Sequence, residues 1–174
     1  ILRAQGLTPA DISTVIVTPL QAYATANIPL FRNAQICISR KGWIEDFQAP
    51  YYHLHVPRHL RIPPEVNDYL QNEGWEKLRL LAAEEEVMPG IRVFWAGVHH
   101  RSSMAVCIDT EQGTVLITDS FFKYGNLEQG HYLGVMESMM EADATWNRIR
   151  RVGRIIASIY DPEVFRRYPG GVLA

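Results

Sequence analysis

Histidines that stand near an acidic residue are the side chains of this chain best suited to chemistry. His99 and His100 are consecutive, and Asp119 follows them along the chain. An imidazole that a carboxylate orients can act as a general base near neutral pH. The remaining histidines lie in a proline-rich stretch and in the segment after Asp119: His53, His55, His59 and His131.

A metal site is the second chemistry that these histidines could support. In an extended segment His53 and His55 would point the same way, because alternate side chains of a strand share a face. With His99 or His100 and with Asp119, they could bind zinc or another divalent cation. The sequence leaves a second interpretation open, in which the histidines form local hydrogen bonds or line a pocket.

A different segment carries a resemblance to a known family. The apolar run Thr14–Val17 leads into the segment Thr18–Asn27, whose frame resembles the metal-binding turn of the metallo-β-lactamase superfamily. The resemblance is greater to its lactonase-like branch, the relatives of N-acyl homoserine lactonases. The family's strand ends in Thr-His-x-His-x-Asp-His. Other segments match in the same order: Gly6–Ile12, Ala96–Ser102, Thr118–Ser120 and Tyr160–Pro162. The resemblance implies an α/β fold, the αββα sandwich.

The positions that hold metal ligands in this family carry other residues here. The resemblance aligns six residues with family ligands: Pro19, Gln21, Tyr23, Ala24, Val98 and Tyr160. It leaves only Asp119, at the bridging carboxylate. In the family two metal ions activate a bridging water, and one carboxylate cannot hold such a pair. We therefore expect no cofactor, with zinc or another divalent metal only at a relocated site.

A metal-free site at the mouth of the fold is the other option for an active protein. The candidate catalytic residues are Tyr23, His99, His100, Asp119 and Tyr160, and Lys123 lies in the same region. The candidate substrate-binding residues are His53, His55, Arg101, Tyr124 and His131. A Tyr or Arg side chain could stabilise an oxyanion there.

Two functions follow from these candidates. The first is a degenerate family member that binds a small-molecule ligand or serves as a non-catalytic partner subunit. The second is an active hydrolase of a small cyclic ester or amide, with a site rebuilt from His, Asp and Tyr side chains.

The elements that must position these residues alternate between strands and helices. Apolar runs predict strands over 14–18, 33–39, 91–95, 103–109, 114–118 and 154–159, with a hairpin turn at 110–113. Helices are predicted over 41–47 after a Ser39 cap, and over 64–72, 75–81 and 132–152, with another from Asp161. This order favours one domain in which helices cover a sheet.

Composition narrows the partners and the setting. The 174 residues are 47% hydrophobic and carry a net charge of -2 from 17 basic and 19 acidic side chains, which argues against nucleic acid and membrane partners. Cys37 and Cys107 lie in apolar strands, which predicts free thiols and a cytoplasmic location. The chain opens in a helix-like pattern at Ile1–Gln5. We therefore expect an N-terminal part of the fold to be absent, and an oligomer to cover the incomplete sheet.

Overall fold

Two β-sheets form the centre of the structure, a computed structural model that describes residues 1–48 and 56–173, with the side chains of 46–48 left out. The smaller sheet is parallel, and its strand order follows the chain: β1 (Thr14–Val17), β2 (Gln35–Ser39) and β3 (Leu78–Leu81). Parallel pairing buries both faces, and four of the five residues of β2 are buried. His53 and His55 lie outside the described residues.

The larger sheet has five strands in chain order. They are β4 (Glu84–Met88), β5 (Ile91–Trp95), β6 (Met104–Thr110), β7 (Gly113–Thr118) and β8 (Ile155–Ser158). The first four pair antiparallel, and β8 adds to β7 in parallel. A tight turn joins β6 to β7, as the sequence predicts, with Gly113 at a φ of 112°.

Helices and helical turns connect the strands and cover the outer faces of both sheets. They are α1 (Ala22–Thr25), α2 (Arg40–Gly42), α3 (Pro64–Gln71), α4 (Tyr124–Gln129), α5 (Met139–Val152) and α6 (Glu163–Arg167). A π-helical stretch, Trp43–Gln48, continues α2. The predicted Ser39 cap is confirmed, because its hydroxyl accepts a hydrogen bond from the Gly42 amide at 3.0 Å.

Three apolar clusters establish the order of the layers. One lies between the small sheet and its helices, and includes Ile36 with Leu70. A second, with Cys37 and Met104, lies between the two sheets. The third packs Trp146 of α5 on the large sheet. The order helix, sheet, sheet, helix is the αββα sandwich, so the predicted fold class is confirmed.

Three predicted elements differ from the structure. The helix predicted over 75–81 is a short 3-10 turn followed by β3, because Leu78 and Leu80 pair with β2. The acidic segment Glu84–Met88 is a strand that the sequence did not reveal. The long helix begins at Met139 instead of Tyr132, because the Ser138 hydroxyl accepts from the Glu141 amide at 3.2 Å and caps it there.

Within the described part of the chain, every helix is too short or too polar to cross a bilayer.

Candidate functional site

Buried hydrogen bonds join the two sheets at the end of β1. The Leu20 amide donates to the Ser102 hydroxyl at 2.9 Å, and the Met104 amide donates to the Thr18 hydroxyl at 2.8 Å. A Cβ on Gly42 would lie only 2.3 Å from the Cα of Ser102, so the chain needs glycine at this contact. The segment after β1 is therefore held against the turn that precedes β6.

Asp119 follows β7 directly and is the centre of a buried polar network. Its carboxylate accepts from the Ser103 hydroxyl at 2.7 Å and from the Thr18 hydroxyl at 3.4 Å. His99 Nδ1 lies 3.3 Å from Asp119 Oδ2, the oxygen that also accepts from Ser103, and donates to it, since a carboxylate can only accept. Asp119 is fully buried. We call Thr18, His99, Ser103 and Asp119 the Asp119 network.

The turn before β6 directs His99 toward Asp119. Gly97 and Val98 both have left-handed backbone, with φ of 56° and 67°, and the His99 amide donates to the Gly97 carbonyl at 2.8 Å. For a β-branched residue this conformation costs about 1–3 kcal/mol. Such strain in a non-glycine residue is typical of functional sites.

Val98, which the resemblance aligns with a ligand histidine of the family, has no donor atom, and its side chain is buried in the core with Phe94 and Trp146. The side chain that reaches Asp119 is that of the next residue, His99. The turn therefore brings an imidazole to Asp119 from the position after the aligned one.

Tyr23 and Tyr160 are two predicted site residues that are far apart in sequence and meet in the structure. Their hydroxyl oxygens are 2.7 Å apart, although one residue belongs to α1 and the other follows β8. Burial is the main cause that raises the pKa of both phenols above 10, and the nearby Asp119 charge adds to it. Both side chains are therefore neutral hydrogen-bonding groups near neutral pH.

His100 packs against His99, with 3.9 Å between the ring centroids. Burial and, to a smaller extent, the neighbouring His99 lower the pKa of His100 from 6.5 to about 4, against the attraction of Asp119. The His100 imidazole is therefore uncharged at neutral pH. Phe122 completes an aromatic group here, with its ring edge-on to His99 at 4.7 Å and to Tyr160 at 5.0 Å.

These side chains border a cavity of about 620 Å³. Its polar lining consists of Gln21, Tyr23, His99, His100, Lys123, Glu137 and Tyr160. Its apolar lining consists of Val56, Pro57, Leu60, Phe122, Val135 and Met136. The size lies in the range of small-molecule sites, and the two kinds of lining give the cavity a polar and an apolar part.

Comparison with solved structures places this arrangement among known folds. An AiiA variant from B. thuringiensis, with N-decanoyl-L-homoserine bound at its active site, superposes with a TM-score of 0.70 over 95% of this chain, at 20% identity. A metallo-β-lactamase-like protein from Thermotoga maritima gives 0.66 over 92%, at 21% identity. The chain has the metallo-β-lactamase fold.

Sequence comparison finds a relative at a similarly low identity. The N-acyl homoserine lactonase AiiB of Agrobacterium fabrum is 24% identical over 162 residues, which cover 86% of this chain and 55% of that protein. The AiiA variant is likewise covered over 62% of its length. The chain thus spans little more than half of these relatives. No protein-family model matches it.

The metal pair of this fold does not fit the residues present. Pro19 and Ala24 have no side-chain donor atoms, and the raised pKa values of Tyr23 and Tyr160 disfavour phenolate ligands. Within residues 1–48 and 56–173, no three His, Cys, Asp or Glu side chains are grouped to hold a metal ion. His99 and Asp119 are the two donors that the structure brings together.

The structure places three predicted substrate-binding residues outside the cavity. Arg101 packs on a tryptophan and pairs with Glu137 and Glu141. Burial lowers the pKa of its guanidinium, but the two carboxylates outweigh this and raise it above its ordinary value. The Tyr124 ring is in the core, and its hydroxyl donates to the Ile156 carbonyl at 2.8 Å. His131 is exposed and does not line the cavity.

The predicted catalytic residues do come together. Tyr23, His99, His100 and Tyr160 all line the cavity, and Asp119 lies beneath His99. The apolar wall, in contrast, was missed. Phe122, Val135 and Met136 belong to loops, and an apolar residue in a loop looks the same in sequence whether it fills a core or faces a ligand.

Proposed function

We propose that this protein is a small-molecule-binding member of the metallo-β-lactamase fold that does not use the fold's two-metal hydrolysis. The ligand is an uncharged molecule with a polar group and an apolar part. It binds in the cavity between Tyr160 and Met136.

One observation carries this proposal, the 2.7 Å contact between the Tyr23 and Tyr160 hydroxyls. The resemblance gives these two positions to an aspartate and a histidine that bind metal. Here two neutral phenols occupy these positions and form a hydrogen bond with each other. A pair of hydrogen-bonded phenols stabilises a ligand-binding wall, but it supplies neither the charge nor the donors that a metal pair needs.

The charges around the cavity support an uncharged ligand. His100 is neutral above its lowered pKa of about 4. The Lys123 ammonium is 3.5 Å from Asp161 and its side chain is 60% exposed, while Glu137 is paired with Arg101. These side chains are neutral or already paired, so none of them offers an opposite charge to a charged ligand. Because burying an unpaired charge is costly, the cavity favours an uncharged ligand.

Metal content and turnover test the first part of the proposal. We expect protein expressed with added zinc and then dialysed to contain far less than one metal ion per chain. We also expect no hydrolysis of N-hexanoyl homoserine lactone above buffer, since a similar hydrolase structure holds the product N-hexanoyl-L-homoserine at its catalytic metal center. Stoichiometric metal that is lost in Asp119→Ala would overturn the proposal.

Blocking the cavity tests the second part. The probe is δ-decalactone, an uncharged cyclic ester with a pentyl chain, for which we expect an affinity of about 1 mM by calorimetry. Val135→Trp should weaken its binding about tenfold by filling the apolar end. Val172→Trp is the control, because Val172 is equally exposed (68% against 65%) and lies outside the cavity. Equal effects of both variants would place the ligand elsewhere.

Metal-free hydrolysis is the second candidate function, and the His99 to Asp119 contact of 3.3 Å favours it. A carboxylate-oriented imidazole at a cavity wall can activate water, and the neutral Tyr160 hydroxyl could donate to the developing oxyanion. Hydrolysis of δ-decalactone should then persist with a chelator and fall at least about a hundredfold in His99→Gln. Activity that the chelator removes, or that His99→Gln retains, would exclude this mechanism.

A further inference from the structure

Gln21 is held in a fixed position at the polar end of the cavity. It precedes α1, and its main-chain carbonyl accepts from the amides of Ala24 and Thr25 at 3.0 Å each and from the Thr25 hydroxyl at 2.9 Å. Its side chain lines the cavity and is only 1% exposed. These bonds hold the main chain of Gln21 in place beside the cavity.

The carboxamide itself has no hydrogen-bond partner. Among the residues that the structure describes, neither Gln21 Nε2 nor Gln21 Oε1 is bonded, although both atoms are buried. Buried polar groups are almost always paired, because an unpaired one loses its hydration without compensation. By contrast, the Asp119 carboxylate, which is also buried, accepts hydrogen bonds from three side chains. An unpaired donor and acceptor at a cavity wall indicate a group that a ligand completes.

We propose that Gln21 is the anchoring residue for a ligand that presents a carbonyl and an N–H on the same edge, such as a lactam. This inference rests on the proposed ligand-binding function. A carboxamide carries its donor and acceptor side by side, so a partner that satisfies both must carry an acceptor and a donor side by side in return.

The same geometry excludes other ligand groups. An open-chain secondary amide is trans, with its carbonyl and N–H on opposite sides, so it satisfies only one of the two Gln21 atoms. A lactone has no donor and leaves Oε1 unpaired. A carboxylate has no donor and brings a charge. A ring amide is cis, and a substituent on its ring can extend along the apolar wall formed by Leu60 and Met136.

Calorimetry with three matched probes tests the inference. They are the δ-lactam with a pentyl chain, the lactone of the same ring and chain (δ-decalactone), and the N-methylated lactam. We expect the lactam to bind at least about tenfold more tightly than either of the others, because only it satisfies both Gln21 atoms. Gln21→Met, which is close in size and apolar, should bind all three equally.

A stability measurement adds a readout that is independent of any ligand. Gln21→Met removes two unpaired buried polar atoms, so the free variant should melt about 2–4 °C above the wild type. A second variant, Gln21→Leu, also removes both the donor and the acceptor. It should likewise lose the preference for the lactam, and it serves where Gln21→Met does not fold.

The outcomes separate the inference from the proposed function. Equal binding of all three probes to the wild type, weakened by Val135→Trp, would keep the ligand-binding function and overturn the role of Gln21. A lower melting temperature of Gln21→Met would also overturn it, because the amide would then have a partner in the free protein. If none of the probes binds, both proposals fail.

Discussion

Asp119 and Gln21 are both buried polar side chains that the resemblance aligns with metal ligands, yet their surroundings differ. Asp119 is 0% exposed and accepts from Thr18, Ser103 and His99. Gln21 is 1% exposed, and its carboxamide is unpaired within the described residues. The fold alone therefore explains why an aspartate is needed at 119. It does not explain the glutamine at 21, which a bound molecule would explain.

The largest expected effect is the loss of the Asp119 network. Asp119→Ala leaves the Ser103 hydroxyl and His99 Nδ1 without their acceptor inside the protein, so we expect the free energy of unfolding to fall by about 3 kcal/mol or more. Urea denaturation followed by tryptophan fluorescence measures it.

Asp109→Ala is the matched control. Asp109 also accepts two side-chain hydrogen bonds, from Arg92 at 2.8 Å and Thr114 at 3.0 Å, but its side chain is 47% exposed. Its loss should cost much less than that of Asp119, because exposed ion pairs contribute little. Similar losses of unfolding free energy in the two variants would show that the Asp119 network does not stabilise the fold. Asp119 would then no longer differ from Gln21 in this respect.

A smaller effect is expected at His100, which connects the two regions. Its amide donates to the Ser103 hydroxyl at 3.2 Å, and its imidazole lines the cavity. Because its pKa is lowered from 6.5 to about 4, acid protonates the unfolded chain before the folded one. Its contribution to stability is complete above pH 6.5 and is lost as the pH falls toward 4.

Urea denaturation at two pH values measures this loss. Between about pH 7.5 and about pH 5 we expect the wild type to lose about 2 kcal/mol more than His100→Asn. An equal loss in both proteins would mean that His100 is solvated in the folded state, and the polar end of the cavity would then tolerate charge.

The smallest effect is expected at the tyrosine pair. Tyr23→Phe and Tyr160→Phe each remove one partner of the 2.7 Å contact, so the double variant should lose less stability than the two single losses combined. We expect a coupling energy of about 1 kcal/mol from the thermodynamic cycle. Additive losses would mean that each hydroxyl is unpaired like the Gln21 amide.

Much of the fold was predictable because several segments of the sequence match the family's pattern in the same order. The strand that ends at Val17, the β6–β7 hairpin and the Asp119 position all follow from local apolar patterns and from resemblance. The element at 78–81 was mistaken for helix, because four residues with three leucines fit both periods. Only the pairing with β2 decides between them.

The site was predictable in its polar half alone. His99, His100, Tyr23 and Tyr160 attract notice by their chemistry, and the structure brings them together. The conformation of the turn before β6 was not predictable from the sequence, because a valine side chain gives no sign of the left-handed φ at Val98. Arg101 was expected at the cavity, but two glutamates distant in sequence pair with it instead.

The two bonds that join the sheets at Leu20 and Met104 also bear on how the protein folds. The Leu20 amide donates to the buried Ser102 hydroxyl and the Met104 amide to the partly buried Thr18 hydroxyl, so both bonds connect the segment after β1 with the region where β6 begins. Their hydrogen exchange should therefore require cooperative opening of the whole sandwich, at rates set by global unfolding. A ligand that binds only the folded protein would therefore slow the exchange of both amides.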